Sequence, residues 1–309
     1  MLVLTLTLSS CGGQLQFSVP ASSENFGQAV KYNDQVDILW VVDDSQTMAQ
    51  HQNRLAAQFD YFMDALLSTK LNYHLGVIST DRGAYNGQLL GNPKVINLVT
   101  TNPKSVFGQN VKLGSGGSPV ERGLASLDDA LSPGMLSGLN SGFLRDEALL
   151  VVIFLSDEND HSTGQAADYI NMLDQLKPRL PSGARGWMAN FIGSLDNSPV
   201  CQSYGADAEA GVRYMDVVSA SGGISESICT SDLSKALTSV RKRIVEVITQ
   251  YHLAKEPFLE TLQVFINGIL IPQNSDNGWT YANKIVTFHG ASIPTSDAVV
   301  SVNYQAKEL

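Results

Sequence analysis

Charged side chains are scarce in this chain. Asp, Glu, Lys and Arg together make up 16% of 309 residues, against about a quarter in an average soluble protein. Basic residues are the scarcer sign: 20 Lys and Arg stand against 30 Asp and Glu, for a formal net charge of −10. Binding to nucleic-acid phosphates needs Lys and Arg gathered on one face. The nearest thing to such a run, RKR at 241–243, falls inside a helical pattern and reads as a solvated face. The charge balance therefore argues against a nucleic-acid partner, and none is expected. The first residues, MLVLTLTLSSCGG, fall short of the about 20 apolar residues that a membrane span requires. Cysteine is nearly absent, with three in all, and the five histidines are scattered without zinc-like spacing, so no metal is assigned to them. Two catalytic signatures are also missing. LGSGGSP lacks the Lys-Ser/Thr ending of a phosphate-binding P-loop, and no Gly-x-Ser-x-Gly nucleophile elbow occurs.

What is present begins with an export signal. The apolar start looks like the core and cleavage region of a secretion signal. LSSC at 8–11 resembles a bacterial lipobox, whose Cys, here Cys11, is lipid-modified and becomes the mature N-terminus. No Lys or Arg precedes the apolar run, which leaves room for a longer signal upstream of Met1. Gly12 after the Cys is similar to the pattern of Gram-negative lipoproteins kept at the outer membrane. The expectation is an exported protein of the bacterial cell envelope, attached to a membrane only through a lipid anchor. With Cys11 set aside, Cys201 and Cys229 remain. In an exported chain they form either a disulfide or two buried thiols, and the Cα separation decides.

Residues 12–34 are polar and patternless and read as a tether. Residues 36–42 form a continuous apolar run of the kind found in central parallel strands. Residues 48–67 carry Leu55, Phe59, Phe62, Met63 and Leu66 at helical spacing. Strands are expected at 71–79, 148–155 and 186–193. Helices are expected at 120–131 (opened by Pro119), 165–176, 208–220 and 232–251. Strands alternating with helices predict an α/β, doubly wound, mostly parallel sheet over residues 35–254. From 257 to 309 the texture changes to short strands, with Asn267-Gly268 as a hairpin turn. That stretch is a small β-rich domain, marginal alone and expected to lean on the larger one.

Both strongly apolar strands end in an aspartate, Asp43 and Asp157, and wrapped parallel sheets bind ligands at those carboxyl ends. An aspartate there can equally be a turn residue. Asp43, Ser45 and Thr47 alternate, so an extended segment would place their oxygens on one side. Ser118 adds a hydroxyl from LGSGGS. Carboxylates and hydroxyls together suit a hard divalent cation, Mg²⁺ or else Mn²⁺ or Ca²⁺. The segments VDILWVVDDSQTM, GGSPVERGL and VVIFLSDEND resemble the three metal-site segments of the von Willebrand factor type A domain. That resemblance implies a metal-ion-dependent adhesion site built from Asp43, Ser45, Thr47, Ser118 and Asp157, with Thr47 and Ser118 keeping the hydroxyls of the family pattern. It also implies that Cys201 and Cys229 pair. Glu158, Asp160 and His161 read as solvated loop residues, and Asp44 as pointing away from the site.

The functional expectation is a binding or adhesion module that captures a protein or glycan ligand through a carboxylate donated to the ion. Two alternatives stand beside it. One is a structural subunit of an envelope assembly whose ion is stabilising or vestigial. The other is a phosphotransferase resembling the haloacid dehalogenases with Asp43 as nucleophile; Ser45 then stands where a proton-donating Asp is needed, and a hydroxyl is a poor general acid. An enzyme is not expected.

Overall fold

A computed structural model describes residues 30–31, 33–68, 71–180, 183–204, 209–295 and 298–307. The signal segment, Cys11 and the tether as far as residue 29 lie outside the described residues. Strand β1 is Val30–Lys31 and β2 is Gln35–Val42. Helices α1 (Ala49–Gln58) and α2 (Asp60–Ser68) replace the single helix expected over 48–67, breaking at Phe59, where the Phe62 amide bonds back only three residues. Then come β3 (Asn72–Ser79), α3 (Arg82–Tyr85), β4 (Ile96–Asn97) and α4 (Pro103–Asn110). Next are α5 (Gly123–Ala130), α6 (Pro133–Ser137), β5 (Leu149–Ser156), α7 (Ala166–Leu176) and β6 (Trp187–Gly193). The larger layer closes with α8 (Val212–Ser221), β7 (Ser225–Ser227) and α9 (Ser234–Ile248).

Six strands form one sheet in the order β4-β3-β2-β5-β6-β7, parallel throughout except for β4 against β3. The continuous apolar runs have the physical meaning expected of them. Every residue of β5 and β6 is buried, because helices cover both faces. On one face Ile38, Trp40 and Val42 pack with Leu55, Phe62, Phe107, Leu237, Val240 and Ile244 from α1, α2, α4 and α9. On the other, Leu39 and Val41 pack with Leu124, Leu127, Leu173, Tyr214 and Val217 from α5, α7 and α8. The fold is mixed α/β, wound on both sides. Among the described residues no helix is long and apolar enough to cross a membrane.

One charged residue interrupts the β2 run. Asp37 shares the phase of Leu39 and Val41 and is fully buried. Its carboxylate accepts the backbone N–H of Arg145 at 2.6 Å and the Arg145 Nε at 2.8 Å, with Nη2 at 2.7 Å. Arg145 reaches on to the carbonyls of Val36 and Asn72, both at 2.9 Å. Lys177, itself buried, donates to the carbonyls of Arg145 and Asp146. At the amino ends of the strands, then, a buried carboxylate is matched by cations.

The C-terminal unit contains β8 (Gln250–His252), β9 (Gln263–Ile266), β10 (Ile269–Ile271), β11 (Gly278–Ala282), β12 (Ile285–His289) and β13 (Val299–Asn303). They form two antiparallel sheets, β1-β13-β9-β10 and β11-β12-β8. The β9–β10 turn has Asn267 and Gly268 at φ 50° and 80°, as a two-residue hairpin of this hand demands. A division of the chain between 254 and 257 does not follow the sheets. Strand β8 comes from the end of the α9 stretch and β1 from the tether. Both cover strand edges that a unit of about fifty residues would leave open. The packed side chains include Tyr251, Val264, Trp279, Val286, Phe288, Val300 and Val302.

Cys201 and Cys229 are disulfide-bonded, with Cα atoms 4.7 Å apart and a separation of 28 in sequence. The bond joins the loop after β6 to the approach of α9. A closed loop of that length stabilises by about 2–4 kcal/mol.

Candidate metal centre at the strand ends

The carboxyl ends of β3, β2 and β5 are tied together by the backbone. Asp43 N–H donates to Leu155 O at 2.9 Å, and Thr80 N–H donates to Val42 O at 3.1 Å. Asp43 is thereby fixed between the neighbouring strands, fully buried. Its Oδ1 accepts the Ser45 N–H at 2.8 Å and its Oδ2 accepts the Ser156 hydroxyl at 2.6 Å. Its carbonyl accepts Gln52 Nε2 at 2.8 Å. The same Gln52 amide bonds Gly114 in both directions, at 2.9 and 3.0 Å, stapling α1 to the Gly-rich loop.

Residues 45–48 form a turn, closed by Met48 N–H on Ser45 O at 3.1 Å, rather than an extended segment. The turn still brings the Ser45 and Thr47 hydroxyls to 3.4 Å from one another. Asp157 follows Ser156, is also fully buried, and lies near enough to Asp43 to influence its charge. Asp44 points elsewhere: its Oδ1 accepts the Ser79 hydroxyl at 2.7 Å and its carbonyl accepts Gly117 N–H at 2.9 Å. A Cβ at 117 would sit 2.4 Å from Asp44 Oδ1, so only glycine lets this loop close on the strand ends. Ser118 follows at once. Its N–H donates to Asp81 Oδ2 at 3.2 Å and its hydroxyl accepts Val120 N–H at 3.1 Å. No hydrogen bond joins it to Asp43, Ser45 or Thr47; its oxygen is held by its own turn.

A further carboxylate belongs to the cluster and escaped the reading of the sequence. Glu121 is fully buried, with one oxygen accepting the Thr80 hydroxyl. A signal for it existed. Within the helix expected over 120–131, Glu121 shares the inward phase of Leu124, an odd place for an unmatched acid. Asp160 is a second correction: it is buried rather than solvated. Its Oδ1 accepts Leu124 N–H at 3.0 Å and Ser162 Oγ at 2.8 Å, and Arg213 lies 3.5 Å from its Oδ2. It anchors the start of α5. Glu158, His161 and Glu209 bring possible ligand atoms within 4.8 Å of one another, and the His161 and Glu209 side chains are exposed.

Burial pushes Asp43 up to about 7, against the moderating Ser156 hydrogen bond and with repulsion from Asp157 adding to the rise. Burial and then repulsion from Asp43 push Glu121 up to about 9. Among the described residues no Lys, Arg or His nitrogen lies within 4.0 Å of either carboxylate, whereas Asp37 at the opposite end of β2 has Arg145. The donor set of carboxylates and hydroxyls fits a hard divalent cation.

These shifts set an expected pH dependence. Without cation, the unfolded chain carries both acids ionised above about pH 5, while the folded state keeps Glu121 protonated up to about 9 and Asp43 up to about 7. The folded state then binds more protons, so stability rises as pH falls through this window. Below about 6.5, His51, held neutral by burial and the Arg54 charge down to about 3, acts in the opposite sense. Thermal melts in chelator should therefore climb from about pH 9 to about pH 7, while cation affinity falls over the same range as protons compete. Melts that drop on this acidification would contradict the assignment of these two groups.

No family model and no curated protein matches the chain. Among solved structures, proximal thread matrix protein 1 from the mussel byssus aligns with a TM-score of 0.45 and 12% identity, over 74% of this chain and 51% of that one. The pilus adhesin SpaC from Lactobacillus rhamnosus GG, in its open conformation, aligns with a TM-score of 0.42 and 14% identity, over 91% of this chain and 39% of that one. The chain thus spans about half, or less, of the length of these proteins.

Proposed function

We propose that the chain is an exported binding module of the von Willebrand factor A type that captures a protein or glycan partner through a divalent cation at the strand ends. Asp43, Ser45, Thr47 and Asp157 would hold the ion, with Ser118 at the rim. The ion would supply a positive centre for an acidic group of the partner. The observation that carries this reading is a group of buried acids that no basic side chain compensates. Burying a carboxylate without a partner costs several kcal/mol. The chain matches Asp37 with Arg145, yet brings Asp43, Asp157 and Glu121 together, and among the described residues no Lys, Arg or His nitrogen lies within 4.0 Å of Asp43 or Glu121. The disulfide supports export into an oxidising compartment. Attachment through Cys11 at the outer membrane belongs to the same proposal. Catalysis does not, because Ser45 offers no general acid for chemistry at Asp43.

A second reading, a structural subunit with a stabilising ion, draws on the small β unit. There Ile269 and Leu270 on the end strand β10 are 69% and 57% exposed, an apolar edge of the kind that partners cover. Capture of partners from envelope extract separates the two. Under the first reading, capture by the wild type is lost in chelator and lost again with Ser45→Ala. Capture that persists undiminished in both places the contact away from the strand ends and refutes the cation-mediated reading.

A further inference from the structure

We propose that Glu121 is a third carboxylate ligand of the strand-end cation, and that it tilts the site toward Ca²⁺ over Mg²⁺. The proposal rests on the cation site argued above and adds to it a residue outside the ligand set that the resemblance implies.

Glu121 is fixed from both sides. Its carbonyl accepts His161 N–H at 2.7 Å, and the following residue, Arg122, donates its N–H to Thr80 O at 3.2 Å. The Thr80 hydroxyl holds Oε2. The other oxygen, Oε1, is buried and has no hydrogen-bond partner, and the residue as a whole is 0% exposed. A buried acceptor left unfilled is among the costlier features a fold can carry. This one lies in the repulsive field of Asp43, Glu158 and Asp44, where a cation would meet Asp43 and Glu121 together. A structural glutamate would be expected to find a donor for both oxygens. Here one is held by Thr80 and the other is buried without a donor.

Ion choice follows from the donor count. Mg²⁺ demands near-octahedral geometry, keeps several waters and is usually bound through one or two carboxylates. Ca²⁺ accepts six to eight oxygens in flexible geometry and tolerates a bidentate glutamate. Asp43, Asp157 and Glu121 with the hydroxyls of Ser45 and Thr47 already make a crowded, carboxylate-rich set, which suits the larger ion. Three carboxylates also exceed the charge of a divalent ion by one. A partner's acid would then approach most easily where Glu121 yields its place.

The test is calorimetric titration of the full chain with CaCl₂ and with MgCl₂, wild type against Glu121→Gln, together with thermal melts in chelator. The amide keeps the size and the Thr80 hydrogen bond while removing the charge. Expected is a loss of about tenfold or more in Ca²⁺ affinity, in the range that ligand-environment changes produce, with a smaller loss for Mg²⁺, and no lowering of the melt in chelator. Ca²⁺ affinity within about twofold of wild type overturns the role of Glu121, equal losses for both ions overturn its preference for Ca²⁺, and either result leaves the cation site standing. A wild type that takes up neither ion overturns the site itself. Should the amide variant not fold, Glu121→Asp, which keeps the charge but draws it back by one methylene, is expected to lose Ca²⁺ affinity, and unchanged affinity there counts equally against the proposal.

Discussion

Asp43→Ala is expected to abolish divalent-cation binding and to leave the fold intact. Asp43 is the hub of the strand ends: one oxygen fixes the Ser45 turn, the other meets the Ser156 hydroxyl, and the side chain faces Asp157 and Glu121 in electrostatic terms. Changes around a metal ligand, short of its removal, cost about 10–100-fold in affinity, so losing a central carboxylate should exceed that. The fold should survive, because the residue sits beyond the last β2 pairing and its removal relieves repulsion. Titration of wild type and variant with Mg²⁺, Mn²⁺ and Ca²⁺, with circular dichroism as the control for folding, measures both halves. Equal uptake by the two proteins would sink the assignment.

Arg145→Ala should have the largest effect on stability, a loss of about 3–5 kcal/mol, the usual cost of stranding a buried charge by removing its partner. The loss has three sources. Asp37, with no exposure of its own, would keep a charge without its guanidinium. The Val36 and Asn72 carbonyls would each lose a donor. His74 is poorly placed to substitute, since its Nδ1 is 3.7 Å from Asp37 and 2.8 Å from the Phe143 carbonyl. Replacing both partners by apolar residues of similar size is expected to recover part of the loss, because the carboxylate is then no longer buried alone. Urea unfolding of the single and double variants gives the comparison. A single-variant loss below about 1 kcal/mol would mean that the pair is screened well enough to matter little.

The larger layer was legible because its strands are buried on both faces, and such strands must be apolar without a break. The runs at 36–42 and 148–155 could be little else. The small unit was legible only in part. Asn267-Gly268 announces its hairpin through backbone conformation alone, a local property. The recruitment of β1 and β8 depends on which strand edges lie open in three dimensions, and residues 30–31 carry no local sign of it. The site shows the same division. Asp43, Ser45 and Thr47 lie within five residues of sequence, so their pattern is readable. Glu121 and Ser156 join them only through the packing of separate segments of the chain. Asp37 was passed over because one acid inside an apolar run looks like noise until Arg145, more than a hundred residues on, is seen to meet it.

The brief β1 strand has a mechanical consequence. Among the described residues β1 brings Val30 and Lys31 to its pairing with β13, and β2 begins four residues later and ends at Val42, just before Asp43. A partner held at Asp43 and an anchor upstream of Val30 would thus be joined by β2 itself, a strand about 26 Å long at ordinary rise. Tension between them would peel β1 from β13 and then meet β2 flanked by β3 and β5 along almost its whole length. Those hydrogen bonds would be loaded together in shear, the direction in which a sheet resists most. Strands β8 to β13, with the C-terminal sheets they build, stand beside that line of force rather than in it.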